Sequence, residues 1–308
     1  MNTSQATRQS TSTSRNLQQV MRQHPLFFFF LIAYAFSWIV SIPYVLSVWG
    51  NWSGDFTVIF VIKSFGPALA AFIMTNLLEG KAGVQRLRHS IRQRRASWQW
   101  YLFILVGIPA LLLIGIIVQP GALAGLQGLP PRLLVSYAIY FVVVILGGGP
   151  LGEEPGWRGF ALPRLQPRYG PLWGTLLLGV GWCCWHLPDF LTPAQGGGPG
   201  TGLAIILANF SMFFLMVIAL AIIFTWVFNH TAGSVFIAIV LHASVNTPQL
   251  VLVPLFPAVG YTSLLLAGLI GFGVPALLIV IVTRGRLGYA QSQATALGPE
   301  QIEAQSIL

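Results

Sequence analysis

The sequence predicts an all-α, polytopic membrane protein of about eight transmembrane helices. Charged residues are 7% of the 308 residues, whereas soluble domains carry about 25%. Hydrophobic residues are 55%, and the mean hydropathy is +0.75. The apolar residues are gathered into segments close to the ~20 residues that a membrane-spanning helix requires. A soluble fold cannot hide so much apolar surface, so the bilayer is the expected solvent.

The apolar segments divide the chain into one transmembrane domain and two tails. Residues 1–24 are rich in Ser, Thr and Gln, which predicts a disordered cytoplasmic tail. Residues 25–285 hold all the apolar segments, and residues 286–308 are expected to form a flexible cytoplasmic C-terminal tail. The predicted spans are approximately 26–49, 56–78, 99–118, 133–151, 172–190, 202–228, 233–253 and 263–283.

The basic residues predict how these spans are oriented. All of them except Lys63 and Arg132 lie in the N-terminal tail, in the 79–98 loop, in the stretch after Glu153 or at the C-terminal end. The positive-inside rule then places both termini and these loops in the cytoplasm. Because the net charge of +9 lies beside apolar segments, it indicates contact with membrane lipids. No aromatic-rich basic surface suggests a nucleic-acid partner.

Few ionisable residues fall within the predicted spans, and such residues mark functional sites by default because burying them in lipid is costly. Glu153 and Glu154 end the fourth span, and His186 lies in the fifth. His242 and Asn246 lie in the seventh span and share one helix face, since they are four residues apart. Carboxylates, histidines and an amide are the groups needed to activate water and to stabilise an oxyanion.

These residues also have structural interpretations. Glu154 and Arg158 are spaced for an ion pair within one helix. Pro155 and Gly156 stand between them and are expected to interrupt that helix. A single histidine in a span can serve only to hydrogen-bond a neighbouring helix. Lys63, in the second span, is expected to snorkel to the surface or to line a cavity.

Three short motifs occur in order on the fourth, fifth and seventh spans. EEPGWRGFALPRLQ begins at Glu153, WCCWHLP begins at Trp182, and HASVN runs from His242 to Asn246. They resemble the EExxxR, FxxxH and HxxxN motifs of the CAAX-protease and bacteriocin-processing family of intramembrane endopeptidases, also called the Abi family. The resemblance covers roughly residues 130–250, with Trp182 in the position of the family's Phe.

The resemblance implies an eight-helix fold with a catalytic cavity open to the cytoplasmic side and the membrane. It also implies hydrolysis of a peptide bond without a covalent acyl-enzyme. Carried over to this sequence, Glu153 is implied to activate water with the assistance of His186. His242 and Asn246 are implied to stabilise the oxyanion of the tetrahedral intermediate.

The resemblance assigns a supporting role to the other two charged residues of the motifs. Arg158 is implied to orient the two carboxylates, with Glu154 in support. From the residues themselves a metal stays open, because Glu153, His186 and His242 also form a ligand set that Zn²⁺ accepts with one position left for water. The sequence lacks the HExxH spacing of many zinc proteases, so a zinc enzyme and a metal-free enzyme are both compatible with it.

The leading interpretation is an endopeptidase of the prokaryotic cytoplasmic membrane that cleaves a membrane-associated or prenylated peptide. The alternative is a non-proteolytic membrane scaffold or bacteriocin-immunity protein on the same fold. In such a protein the polar set is free to erode, and its intact state here favours the enzyme. A transporter is disfavoured because no internal repeat or paired broken helices are visible. The native substrate and the oligomeric state are left open.

Overall fold

The computed structural model describes residues 18–147 and 149–290. Within them every regular element is a helix, which confirms the predicted all-α class. Of the two predicted tails, residues 1–17 and 291–308 lie outside the described residues. Residues 18–23 are helical and directly precede the first long helix.

The helices follow one another with short connections, and three pairs are joined end to end. Their bounds are α1 (Pro25–Val48), α2 (Thr57–Ile62), α3 (Gly66–Arg92), α4 (Trp98–Leu102), α5 (Ile108–Ile117), α6 (Leu133–Leu146), α7 (Gly149–Gly156), α8 (Leu162–Tyr169), α9 (Pro171–Trp185), α10 (Leu203–His230), α11 (Val235–Val251) and α12 (Tyr261–Thr283). A 3₁₀ turn at Lys63–Phe65 joins α2 to α3. π-Helical turns at Phe103–Gly107 and Trp157–Ala161 join α4 to α5 and α7 to α8.

Each predicted span corresponds to helical structure, but fewer than eight helices are long enough to cross a bilayer. Six of the described helices have the length and apolarity to do so, and α6 with the α7–α8 unit, bent by 46°, raises the number to seven. The difference lies in α9, which has 15 residues and is therefore only ~22 Å long. A 3₁₀ turn at Leu187–Leu191 extends it toward the ~30 Å of the hydrocarbon core.

Hydrogen bonds between loops show which helix ends share a face of the bundle. Ser234 Oγ donates to the carbonyl of Gln93 at 2.5 Å, and Asn229 Nδ2 donates to the carbonyl of Leu287 at 2.9 Å. These contacts bring the ends of α3, α10 and α12 together with the start of α11. The basic residues of α3, of α8 and of the segment after α12 lie at these ends, so we call this side the basic face.

The other helix ends meet on the opposite side. Trp49 Nε1 donates to the carbonyl of Leu191 at 2.8 Å, and the backbone N–H of Gln127 donates to the carbonyl of Leu255 at 2.9 Å. The described loops of this side carry three charged residues, Asp55, Arg132 and Asp189, and Asp189 is paired with Lys63. Because their charges cancel, we call this side the neutral face.

Two glycines hold α7 close to the α2–α3 junction. An added Cβ at Gly152 would lie 2.4 Å from the carbonyl oxygen of Ser64. At Gly156 it would lie 2.5 Å from Pro67 Cβ. Such small residues let helix backbones approach closely inside a membrane. They therefore fix the depth and rotation of the two glutamates that lie between them.

Pro155 and Gly156 do not interrupt the helix that carries the two glutamates, although the sequence predicted that they would. α7 includes both Pro155 and Gly156, and the π-helical turn carries the helical path on to Arg158. Glu154 and Arg158 consequently meet across one turn, as their spacing alone predicted.

Candidate active site

A cavity of about 230 Å³ lies inside the bundle, among α5, α7 and α9 to α12. Four of the predicted catalytic residues line it, namely Glu153, His186, His242 and Asn246. The other two, Glu154 and Arg158, are completely buried and are not part of the cavity lining. The structure therefore separates the predicted set into a group that faces the cavity and a pair behind it.

Two indoles hold the carboxylate of Glu153, which is 4% exposed. Its Oε2 accepts hydrogen bonds from Trp182 Nε1 at 2.8 Å and from Trp157 Nε1 at 3.2 Å. Oε1 accepts no hydrogen bond from the described residues, so one carboxylate oxygen remains available to the cavity. The sequence predicts only an aromatic wall at Trp182, whereas this residue also supplies a donor that the Phe of the family motif lacks.

Glu154 connects Arg158 to His242. Arg158 Nη1 lies 3.0 Å from both carboxylate oxygens of Glu154, and His242 Nδ1 lies 2.7 Å from Oε1. Because an ionised carboxylate can only accept, His242 Nδ1 carries the proton and Nε2 is left for the cavity. In the described contacts Arg158 has no hydrogen bond to Glu153. Its hydrogen bonds therefore hold one carboxylate of the predicted pair, that of Glu154.

The buried guanidinium of Arg158 is supported by aromatic rings as well as by Glu154. Its central carbon lies 4.3 Å from the ring centroid of Trp182 and 4.2 Å from that of Phe224. Cation–π contacts of this kind are strongest where water is excluded. They offset part of the cost of holding a charge at this depth.

His186 belongs to a second carboxylate–histidine pair, which the sequence analysis did not predict. Asp189 Oδ2 lies 2.8 Å from His186 Nδ1, and the same carboxylate forms a buried salt bridge with Lys63. Lys63 does not snorkel to the surface, and it is not among the lining residues of the catalytic cavity, because its side chain is buried beside Asp189 and lies over the ring of Trp185. The available signal was the acidic residue three positions after His186 in WHLPD.

Asn246 lies one turn beyond His242 on α11 and is half-buried. Its side-chain amide has no hydrogen-bond partner among the described residues. An added Cβ at Gly149 would lie 3.9 Å from Asn246 Nδ2, which places this amide beside the start of α7. Asn246 therefore offers an uncommitted donor near the helix that carries Glu153.

The predicted zinc ligands share the cavity without forming a metal centre. Over residues 18–147 and 149–290, no three His, Cys, Asp or Glu side chains converge so that they could hold a metal ion. Tetrahedral zinc needs such convergence at about 2 Å from each ligand atom. In this arrangement Glu153, His186 and His242 do not fit a zinc site.

Two comparisons relate this chain to known proteins. The sequence profile of the family described as Type II CAAX prenyl endopeptidase Rce1-like matches residues 135–248, which include all three motifs. The chain is also 24% identical over 213 residues to CAAX prenyl protease 2 of Methanococcus maripaludis, across 65% of this chain and 75% of that protein. Over these residues the chain is similar to the CAAX-protease and bacteriocin-processing family.

This similarity confirms the resemblance that the three motifs predicted. The matched profile and the relative are both described as CAAX prenyl proteases, and the bundle has six or seven apolar helices long enough to cross a membrane. This chain is therefore an integral, multi-pass membrane protein similar to CAAX proteases, and the three motifs meet around one buried cavity.

Proposed function

We propose that this protein hydrolyses a peptide bond in a membrane-associated or lipid-modified peptide, using water activated by Glu153. One observation carries the proposal. Glu153, His186, His242 and Asn246 come from three separate parts of the chain and line one cavity within the bundle. The similarity to a Methanococcus protein agrees with a place in a prokaryotic cytoplasmic membrane.

Glu153 is the proposed general base. Trp182 and Trp157 fix one carboxylate oxygen, so the other is oriented toward the cavity and can accept a proton from water. A positioned base of this kind contributes about 10²–10⁴-fold to a reaction rate. The hydroxide equivalent then attacks the carbonyl carbon of the bound peptide.

Asn246 and His242 are the proposed stabilisers of the oxyanion. Asn246 Nδ2 donates as a neutral amide. Since His242 already directs its Nδ1 proton to Glu154, it donates from Nε2 only as an imidazolium, a form that the carboxylate of Glu154 stabilises. Donors held in place before the reaction cost no reorganisation when the charge develops.

His186 is the proposed carrier of the proton to the leaving group. Asp189 fixes Nδ1 of the ring, which leaves Nε2 for the cavity. The proton that Glu153 takes from water passes through this ring to the amine nitrogen as the carbon–nitrogen bond breaks. The second proton of the water leaves the new carboxyl group for the amine, so the products are a carboxylate and an ammonium group, and Glu153 returns to its ionised form.

The first experiment compares wild type with Glu153→Gln and Glu79→Gln in detergent, using a quenched farnesylated CAAX peptide. Glu79 pairs with Arg86 and Arg164 and lies outside the catalytic cavity. Glu79→Gln is therefore the control, because it also replaces one glutamate by glutamine but leaves the catalytic cavity unchanged. We expect wild type and Glu79→Gln to cleave the peptide. Glu153→Gln should lose at least about 100-fold in rate, because the general base is removed while its shape is kept.

Two results would count against the proposal. Wild-type cleavage rates in Glu153→Gln would remove this residue from the chemistry. Failure of the folded wild-type protein to cleave the farnesylated peptide or a library of membrane-anchored peptides would favour the scaffold or immunity protein instead.

A further inference from the structure

A second cavity, of about 320 Å³, lies on the basic face of the bundle. It is separate from the catalytic cavity, because Glu153, His186 and Asn246 line the catalytic cavity and do not line this one. We propose that the second cavity binds a phosphate group, which Arg158 holds at its inner end. The proposal concerns a further ligand of the protein, and its test does not require the proposed peptidase reaction.

The second cavity runs from the surface of the basic face to a buried arginine. Part of its lining is exposed, namely Arg86 near the end of α3, Pro167 near the end of α8, and Ala232 in the loop before α11. Other lining residues, including Thr75 and Arg158, are buried. A ligand that enters between the helix ends of the basic face therefore reaches the guanidinium of Arg158.

One edge of that guanidinium has no partner. Nη1 of Arg158 lies 3.0 Å from both carboxylate oxygens of Glu154. Nε and Nη2 are buried, and neither has a hydrogen-bond partner among the described residues. These two nitrogens form the edge of the guanidinium that pairs with two oxygens of one oxyanion. Because buried donors without a partner are costly, this edge indicates an oxyanion as the ligand.

The charges around the second cavity favour an anion. Arg86, Arg158 and Arg164 all line it. Glu79, which also lines it, forms salt bridges with Arg86 and Arg164. Glu154 lies outside the lining and balances Arg158. Three guanidinium groups thus meet two carboxylates, and one positive charge is left for a ligand.

The rest of the lining favours a phosphate over a carboxylate. Thr75, Ser90 and Tyr289 bring hydroxyl groups to the same cavity. A phosphate offers three strong acceptor oxygens and can therefore meet hydroxyl groups as well as the guanidinium edge. Basic pockets between the cytoplasmic ends of membrane helices bind the headgroups of anionic lipids. A phospholipid headgroup and free phosphate present the same chemical group, and the experiment distinguishes the two sources.

Thermal unfolding of the delipidated, full-length protein tests the ligand. Dioleoylphosphatidylglycerol, dioleoylglycerol and inorganic phosphate are each titrated in a neutral detergent at constant ionic strength. A ligand that binds the folded state raises the midpoint of unfolding. We expect a saturable rise with phosphatidylglycerol and none with dioleoylglycerol, which has the same acyl chains but no phosphate. A rise with inorganic phosphate as well would show that the free ion suffices. No rise with either phosphate compound, or equal rises with the two lipids, would overturn the proposal.

Three variants test where the phosphate binds. Arg158→Lys keeps a positive charge beside Glu154 but lacks the two-nitrogen edge, so the apparent Kd should rise at least about tenfold. Arg86→Gln removes a charge at the exposed end of the cavity and should raise the apparent Kd about fivefold. The control is Arg88→Gln, an exposed arginine of the same helix that does not line the cavity, and it should bind as wild type does.

Equal binding by Arg86→Gln and Arg88→Gln would overturn the assignment to this cavity. That comparison decides the matter even if Arg158→Lys fails to fold, because both glutamine variants change exposed residues of α3. Phosphate binding without any peptide cleavage would leave this proposal standing while the proposed function fails.

Discussion

At the residue scale, two adjacent glutamates are given different tasks by their partners. Glu153 meets indole N–H groups, which are neutral donors, and lines the cavity. Glu154 meets the Arg158 guanidinium and the His242 ring and is completely buried. Because consecutive helical residues point in directions about 100° apart, one helix delivers one carboxylate to the cavity and the other to its support.

The indole donor of Trp182 can be removed without losing its ring by Trp182→Phe. We expect the variant to fold and its kcat to fall by about 10–100-fold, because a hydrogen bond to a charged group contributes about 1.5–3 kcal/mol. The matched control is Trp226→Phe, whose indole packs against Trp100 away from the cavity. Steady-state cleavage of the farnesylated peptide measures both. Equal kcat values in the two variants would show that the Trp182 hydrogen bond does not contribute to catalysis.

The shared carboxylate of Asp189 is tested by Asp189→Asn. This change leaves the buried ammonium of Lys63 without its counter-charge, so we expect a loss of about 3–5 kcal/mol in stability as well as a slower reaction. The double variant Lys63→Met, Asp189→Asn removes both charges and should recover much of the stability. Its kcat should remain low, because His186 has still lost its partner. Wild-type kcat in a stable double variant would mean that Asp189 does not position His186.

At the element scale, glycines set the depth of the catalytic helix. α7 touches the α2–α3 junction through Gly152 and Gly156, where no side chain fits. The motif residues Pro155 and Gly156 are thus compatible with a continuous helix, and the π-helical turn at Trp157–Ala161 follows them without breaking it. Packing against neighbouring helices decides this outcome, because a proline in a membrane helix is tolerated where its surroundings satisfy the backbone.

Gly156→Ala tests this packing. The new methyl would lie 2.5 Å from Pro67 Cβ and 2.6 Å from the Pro67 backbone, so one helix must move. We expect the free energy of unfolding to fall by about 1–3 kcal/mol, as is typical of an overpacked interior. The midpoint of thermal unfolding should fall accordingly. Gly128→Ala is the control, because nothing lies within 4 Å of a Cβ added there. An unchanged midpoint in Gly156→Ala would show that α7 adjusts freely.

At the scale of the whole molecule, the cavity joins the four candidate catalytic side chains in a bundle whose described residues show no convergent metal ligands. We therefore expect cleavage to survive chelators and the purified protein to contain less than one equivalent of zinc. Mass-spectrometric metal analysis and the peptide assay measure these two quantities. Loss of activity on chelation that added zinc restores would show that ligands rearrange around a metal.

The sequence by itself determined the class of the protein and the four candidate catalytic residues that line the cavity. Hydropathy fixes a helical membrane fold, because only helices or closed barrels satisfy the backbone in lipid. It also exposes the catalytic candidates, since polar residues within spans are rare and costly. Glu153, His186, His242 and Asn246 were found on that ground and then met in one cavity.

Only the tertiary structure decided how these residues are supported. Lys63 and Asp189 are 126 positions apart, and Glu154 and His242 are 88 apart. No local periodicity reports such contacts, because they depend on how whole helices pack. The composition of a span does not specify which neighbouring helix it touches, so only the packed bundle reveals these contacts.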